Sequence, residues 1–314
     1  MFKIGCHVSI AGGVWNAPKN AADLGCETFQ IFTRSPQGGP APVLDESVVE
    51  KFKTEMEKYK FNDFVVHAPY FVNFGSAKPQ TYHGSASIVR TDLERASMLG
   101  ARYVMTHLGT AKDLGQEKAF EQTTKMLVKV LEGYEGSAQF LLEIAAGAGE
   151  VIGDTFEELA ELMEPLIKFK TFGGICFDTQ HAFSSGYDLR TKEAVEKTFK
   201  QFNKTIGLKY FKMSHINDSK IELSGRKDRH DHIGEGKIGE EGFKAILEFL
   251  SSNLKFPKSG SNFSTRRSGR TLLSSKEEAK NDAFGSMPLI LETEHDKVKV
   301  DIEILKSLRD KIEK

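Results

Sequence analysis

The chain has 314 residues, of which 39% are hydrophobic and 28% charged, and its formal net charge at pH 7 is −1. This composition excludes a disordered or membrane-embedded chain and matches an ordinary globular enzyme, while the near-zero charge removes the global basic footprint common among nucleic-acid binders. Length alone leaves one or two domains open, because α/β barrels routinely use about 250 residues as one unit.

The opening MFKIGCHVSIAGG is a strand pattern over 2–8 without the charged leader and long apolar run of a secretory signal, so the protein is expected not to be secreted. A helical pattern follows at 14–24. The alternation then repeats: strand 28–33 and helix 46–59, strand 63–67 and helix 84–99, strand 102–107 and helix 115–132, strand 139–144 and helix 155–167. It continues with strand 173–178 and helix 191–204, strand 209–215 and helix 240–250, and strand 288–293 and helix 298–312. Eight βα units predict an α/β fold, a (β/α)8 TIM barrel, because a parallel sheet must be covered on both faces.

One segment breaks the rhythm. Residues 252–286 are polar, rich in Ser and Gly, and lack apolar periodicity, so the chain reads as a single domain with an insertion before its last strand. That insertion is expected to be mobile and to lie on the N-terminal face of the barrel, with Arg266, Arg267 and Arg270 forming a solvated basic loop. Cys6, Cys26 and Cys176 are odd in number and form no C-x-x-C pair, which predicts buried free thiols. The phrase GEGKIG at 234–239 lacks the phosphate-loop pattern and is expected to shape a turn.

Nine residues that favour divalent metals stand at or just beyond the strand patterns: His67, His107, Glu143, Asp178, His181, His215, Asp228, His230 and Glu292. In a barrel all of them would face the C-terminal mouth, where βα loops carry chemistry. Histidines and carboxylates without thiolates point to a reactive site rather than a closed structural one. Imidazole-rich ligation suits Zn²⁺ best, with Mn²⁺ or Fe²⁺ as substitutes. Nine ligands exceed the needs of one ion; two or three ions are implied, with Glu143 in mid-barrel as a natural bridge. Four carboxylates around three divalent ions leave the site at about +2, enough to attract phosphate, and phosphodiester hydrolysis is slow enough uncatalysed to need such charge stabilisation. Serine-nucleophile and phosphate-loop motifs are absent from the sequence.

The motifs HAPYFVN at 67–73, ICFDTQHAFSSGYDLR at 175–190, HINDSK at 215–220 and DRHDHIGEGKIG at 228–239 occur in an order that resembles the endonuclease IV family of apurinic/apyrimidinic endonucleases. The likeness extends from GCHVSIAGG to LILETEHD and leaves only 252–286 without a counterpart. It implies a barrel with three Zn²⁺ ions that cleaves duplex DNA 5′ to an abasic site, leaving a 3′-hydroxyl and a 5′-deoxyribose phosphate. By the same resemblance His67, His107 and Glu143 hold one ion; Glu143, Asp178, His215 and Glu292 a second; His181, Asp228 and His230 a third. A water or hydroxide bridging the first two ions would attack the phosphorus in line. Tyr70 and Phe71 would enter the minor groove at the lesion, where an abasic step is cheap to open, and Arg229 would meet a backbone phosphate. The expected partner is duplex DNA containing abasic sites, met by a monomer away from membranes. The expected location is the cytoplasm, at the nucleoid, in a bacterium, or the nucleus or mitochondrion in a eukaryote.

Three departures from that family's pattern stand out: Gln37 stands where an arginine is usual, Ile144-Ala145-Ala146 follow the bridging glutamate in place of an Asn-Thr pair, and Gln180 replaces a small residue. His7, His83, His232 and His295 are expected outside the ligand set, supporting ligands or facing solvent. The rival reading is a sugar isomerase or epimerase with one metal, because Glu143, Asp178, His215 and Glu292 match the quartet such barrels use. The five other ligands discriminate, since an isomerase does not need them. A catalytically dead DNA-binding protein would be expected to have lost ligands, and none of the nine is missing.

Overall fold

Alternation of side chains along short buried strands generates the architecture. The computed structural model describes residues 2–254 and 286–312, so the predicted insertion 252–286 lies almost wholly outside the described residues. Eight parallel strands form the barrel: β1 (Phe2–His7), β2 (Thr28–Ile31), β3 (Val65–His67), β4 (Tyr103–Thr106), β5 (Gln139–Glu143), β6 (Phe172–Asp178), β7 (Phe211–His215) and β10 (Met287–Leu291). They follow chain order around the ring, and β10 closes it between β7 and β1. Two short strands, β8 (Asp218–Ser219) and β9 (His230–Asp231), pair antiparallel above the barrel. The helices are α1 (Ala17–Asp23), α2 (Glu46–Lys58), α3 (Pro79–Leu99), α4 (Gln116–Leu131), α5 (Phe156–Met163), α6 (Thr179–Ser185), α7 (Lys192–Thr205), α8 (Gly239–Asn253) and α9 (Val298–Ile312). Among the described residues no helix is long and apolar enough to cross a membrane.

The predicted TIM barrel is therefore the fold, and most predicted elements lie within two residues of their observed bounds. Helix α3 starts earlier than the predicted 84 because Pro79 sits in its first turn, where a missing N–H costs nothing. It stops at Gly100, whose φ of 84° suits a left-handed cap. Helices α2, α5 and α7 begin at Asp45, Thr155 and Thr191, whose side chains each accept an N–H from the first turn.

The barrel lumen is filled by Val65, Tyr103, Met105, Leu141, Cys176, Met213 and Ile290, while a larger apolar layer joins the outer strand faces to the helices. Strand period is 2, so the next inward position after a lumen residue lies two residues on. Stepping from Val65, Met105, Leu141, Cys176, Met213 and Ile290 gives His67, His107, Glu143, Asp178, His215 and Glu292. One parity rule thus both packs the lumen and brings six ligand-type side chains to its C-terminal rim.

Candidate metal centre

Glu143 lies at the centre of this rim, fully buried at the end of β5. Its Oε2 is 3.0 Å from His67 Nε2 and 3.6 Å from His107 Nε2, while its Oε1 is 2.7 Å from His215 Nδ1 and 3.6 Å from His181 Nδ1. Burial alone would push the Glu143 carboxyl up, but His107, His215 and His67 outweigh it and hold it well below the usual carboxylate range.

The donor atoms gather into groups in which all lie within 4.8 Å of one another: His67, His107 and Glu143; Glu143, Asp178, His215 and Glu292; and Asp178, His181 and His230. Asp228, which comes from the loop before β9, joins the last group, with Oδ2 3.4 Å from His181 Nε2 and Oδ1 3.5 Å from His230 Nε2. All nine predicted ligands are thus brought together. Cys176 also falls within reach of Glu143 and His215, but burial pushes its thiol up to about 12, which disfavours the thiolate a metal requires.

The second nitrogens of two of these histidines are held by backbone carbonyls outside the groups. His67 Nδ1 meets the Ala68 carbonyl, and His181 Nδ1 donates to the Ile144 carbonyl at 2.9 Å. Such carbonyl partners take the Nδ1 hydrogen, so that the neutral imidazole a metal binds offers its Nε2 lone pair. Nε2 of His181 and Nε2 of His230 are buried without any hydrogen-bond partner. Buried polar atoms are rarely left so; two imidazole nitrogens orphaned beside Asp178 and Asp228 suit a divalent ion. The donor set therefore fits metal.

Asp178 caps a helix with one oxygen and turns the other toward the donor group. Its Oδ1 accepts the N–H of His181 at 2.8 Å and starts α6, while its Oδ2 accepts from Asn217 Nδ2 at 2.8 Å and lies 3.6 Å from His230 Nε2. The one-turn cap places His181 inward, fully buried rather than facing solvent. Burial alone would lower the His181 imidazole, yet Asp178 and Asp228 carry it up to about 10. The loop bearing Asp228 is fastened from α6, where Gln180 Nε2 and Ser184 Oγ both donate to the Lys227 carbonyl, at 2.9 and 2.8 Å. Asp218 pins the far side. Its carboxylate accepts the backbone N–H groups of Gly234, Gly236, Ile238 and Gly239, so GEGKIG is a turn wrapped around a carboxylate.

Tyr70 and Phe71 stand on the loop after β3, 55% and 41% exposed, and the Tyr70 ring lies 5.2 Å from that of His67. Between this loop, His107 and Ala145 is a cavity of about 550 Å³ that Asp228 also borders. Arg229 is exposed beside the cluster and donates to the Asp228 carbonyl at 2.6 Å. Gln37 is exposed on the loop after β2, its backbone N–H donating to Ser35 Oγ.

Of the histidines expected outside the set, His83 and His295 are exposed, and His232 Nδ1 meets Asp301 Oδ2 at 2.8 Å. His7 lies beside Gln30, and burial lowers its imidazole to about 4, keeping it neutral. Gln30 itself escapes a search for metal-type residues. It is buried at the inward parity of β2, with Nε2 2.7 Å from Glu292 Oε1 and Oε1 2.7 Å from His215 Nε2. Its signal in the sequence is a lone polar side chain at a lumen-facing position of TFQI.

Comparison with known proteins gives a consistent pattern. Residues 18–253 match the family model described as xylose isomerase-like TIM barrel. The chain is 38% identical over 251 residues to the probable endonuclease 4 of Nitrosopumilus maritimus, covering 79% of this chain and 89% of that protein. It is 38% identical over 249 residues to the probable endonuclease 4 of Aquifex aeolicus, covering 79% and 87%. Endonuclease IV from Thermus thermophilus superposes with a TM-score of 0.75 at 30% identity over 99% of both chains. A D-tagatose 3-epimerase-like protein shares the fold, with a TM-score of 0.68 at 23% identity over 99% of this chain and 98% of that one.

Proposed function

The chain belongs to the endonuclease IV family of xylose isomerase-like TIM barrels, and from that membership we propose that it is a metal-dependent DNA repair endonuclease. It hydrolyses the phosphodiester 5′ to abasic sites in duplex DNA, leaving a 3′-hydroxyl and a 5′-deoxyribose phosphate. The observation that carries this reading is the grouping of His67, His107, His181, Asp228 and His230 with the quartet Glu143, Asp178, His215 and Glu292 around one buried carboxylate. A single-metal isomerase has no use for those five.

His67, His107 and Glu143 would hold one Zn²⁺, Glu143, Asp178, His215 and Glu292 a second, and His181, Asp228 and His230 a third, with Mn²⁺ or Fe²⁺ as substitutes. Divalent ions in such a site supply Lewis acidity and a nucleophile ionised near neutral pH. The protein's own part is to hold six donors on rigid strand ends, so that little reorganisation is needed when substrate arrives. Glu143, kept ionised, serves two donor groups at once. Tyr70 and Phe71 present aromatic area beside the cluster to wedge the duplex open, and Arg229 offers a guanidinium to a backbone phosphate. The protein would act as a monomer, with the barrel as its single domain and 252–286 as an insertion within it.

The test is a duplex carrying one abasic analogue. The proposal expects a chelator-sensitive nick on the 5′ side of the lesion and an uncut control duplex; an intact lesion strand with metal-loaded protein would overturn it.

A further inference from the structure

We propose that Gln30 is a positioning residue for the metal centre: through one amide it fixes which nitrogen His215 presents to the metal and holds the Glu292 carboxylate in place. This inference rests on the proposed metal-dependent function. It goes beyond the nine ligands by assigning work to a residue with no ligand chemistry.

The hydrogen-bonding capacity of each group decides the arrangement. Glu292 lies among the donor atoms of the quartet, and as the carboxylate a metal requires it can only accept. The amide must therefore turn its NH₂ group toward Glu292 Oε1, 2.7 Å away. That group has a second hydrogen, and the other neighbour on its side is His7 Nδ1 at 3.1 Å, the acceptor nitrogen of an imidazole kept neutral. The amide oxygen is then left for His215 Nε2 at 2.7 Å, which must carry a hydrogen. His215 consequently offers Nδ1 to the cluster, where it lies 2.7 Å from Glu143 and 3.4 Å from Glu292. The other orientation of the amide would set its oxygen against a carboxylate and its NH₂ against the His215 ring.

His215 differs in this from its neighbours. His67, His107, His181 and His230 turn Nε2 toward the neighbouring carboxylates, and the second nitrogens of His67 and His181 meet backbone carbonyls. His215 has the opposite orientation, and its outer partner is a side chain that also grips another member of the same quartet. Gln30 is fully buried on β2, across the ring from β7 and adjacent to β1 and β3, so it couples the two ligands through the sheet rather than through a loop. Outer partners of this kind typically carry about 10–100-fold in metal affinity.

The experiment compares wild type, Gln30→Met and Gln30→Glu. Methionine has nearly the same length and no hydrogen bonds; glutamate keeps an acceptor for His215 but loses the donor to Glu292. Zinc affinity is read by competition with a chromophoric chelator, and the His215 Nε2–H proton by NMR on histidine-labelled protein. Gln30→Met is expected to weaken the quartet's zinc affinity about 10–100-fold and to move the Nε2–H resonance. Gln30→Glu is expected to keep an observable, exchange-protected Nε2–H proton, because an acceptor for it remains. A Gln30→Met protein that binds zinc within twofold of wild type, with an unmoved resonance, overturns the proposal. Thermal melts establish that each variant is folded, and should methionine fail there, loss of the exchange-protected Nε2–H proton in Gln30→Glu would overturn it instead. The proton readout works on metal-free protein, so a wild-type chain that takes up no zinc would overturn the proposed function and still leave the role of Gln30 decided.

Discussion

His181 and His230 face each other with ring centroids 5.5 Å apart, and Nε2 of both is buried without a hydrogen-bond partner. Two buried imidazole nitrogens that find no hydrogen bond of good geometry beside Asp228 are satisfied better by a divalent ion than by a proton. Removing metal should therefore cost stability as well as activity. Prolonged chelation is expected to abolish nicking and to lower the melting temperature by about 5 °C or more, since a ligand at 100 times its Kd contributes about 2.7 kcal/mol. Readdition of Zn²⁺ should restore both. The same samples give metal content: two or three ions per chain are expected, and a single ion would favour the isomerase reading.

Glu143 is the residue whose loss should be felt most. Both its oxygens are engaged, by His67 on one side and His215 on the other, and its charge offsets histidines that burial otherwise keeps neutral. Glu143→Gln keeps the volume and removes the charge. It is expected to reduce nicking by at least about 10³-fold, the scale of losing several kcal/mol of charge stabilisation, while circular dichroism and melting show a folded barrel. Activity within tenfold of wild type would remove the bridging role assigned to Glu143.

Protons compete with metal at His181. Its imidazole is carried up to about 10 in the metal-free protein, so a proton occupies it throughout the neutral range. A raised folded pKa contributes stability that is fully present below the ordinary value of 6.5 and is lost as pH rises through about 10. Metal binding works in the opposite direction, because the ion must expel that proton. Zinc affinity should accordingly rise about tenfold per pH unit for each proton displaced, across roughly pH 7 to 9. Competition titrations at three pH values, with proton release followed in weak buffer, check this; pH-independent affinity would take His181 out of the ligand set.

The ligand positions were legible because barrel strands are short and their side chains alternate. His67, Glu143, Asp178 and His215 end apolar runs, and each stands two residues beyond a lumen residue, so periodicity and chemistry point the same way. Helix α6 was not legible. Thr179–Ser184 are buried on every side, which erases the amphipathic period that marks a surface helix. Gln30 escaped for a different reason. Its contacts to Glu292 and His215 span 262 and 185 residues of sequence, and no local pattern records a partnership of that range. The β8–β9 pair is likewise too short to show alternation.

The aromatic loop should matter for substrate and not for metal. Tyr70 and Phe71 are exposed, with side chains free to meet a duplex. Truncating each to alanine is expected to lower kcat/KM on abasic duplex by about 10–100-fold, matching the few kcal/mol it costs to open a base step. Zinc content should stay at the wild-type value. A single-stranded abasic substrate needs no wedge, so the defect should shrink there; an equal defect on both substrates would count against a wedging role.

Residues 255–285 can be replaced by a short Gly/Ser linker, because the ends they join belong to the opposite end of the barrel from the metal centre. Helix α8 finishes at Asn253 and β10 begins at Met287, the N-terminal end of a strand whose other end leads to Glu292. Ser286 should be kept, since its carbonyl accepts from the Arg102 guanidinium at 2.5 Å, and Arg102 pairs with buried Asp63. Loop-closure entropy changes only by about 0.6 kcal/mol per doubling of length, so stability should hardly move. Nicking of an oligonucleotide duplex is expected within twofold of wild type at low and high salt. A loss that is largest at low salt and shrinks as salt rises would mean that Arg266, Arg267 and Arg270 contact the DNA backbone, because each phosphate contact steepens the wild-type salt dependence by about 0.9 in logarithmic slope.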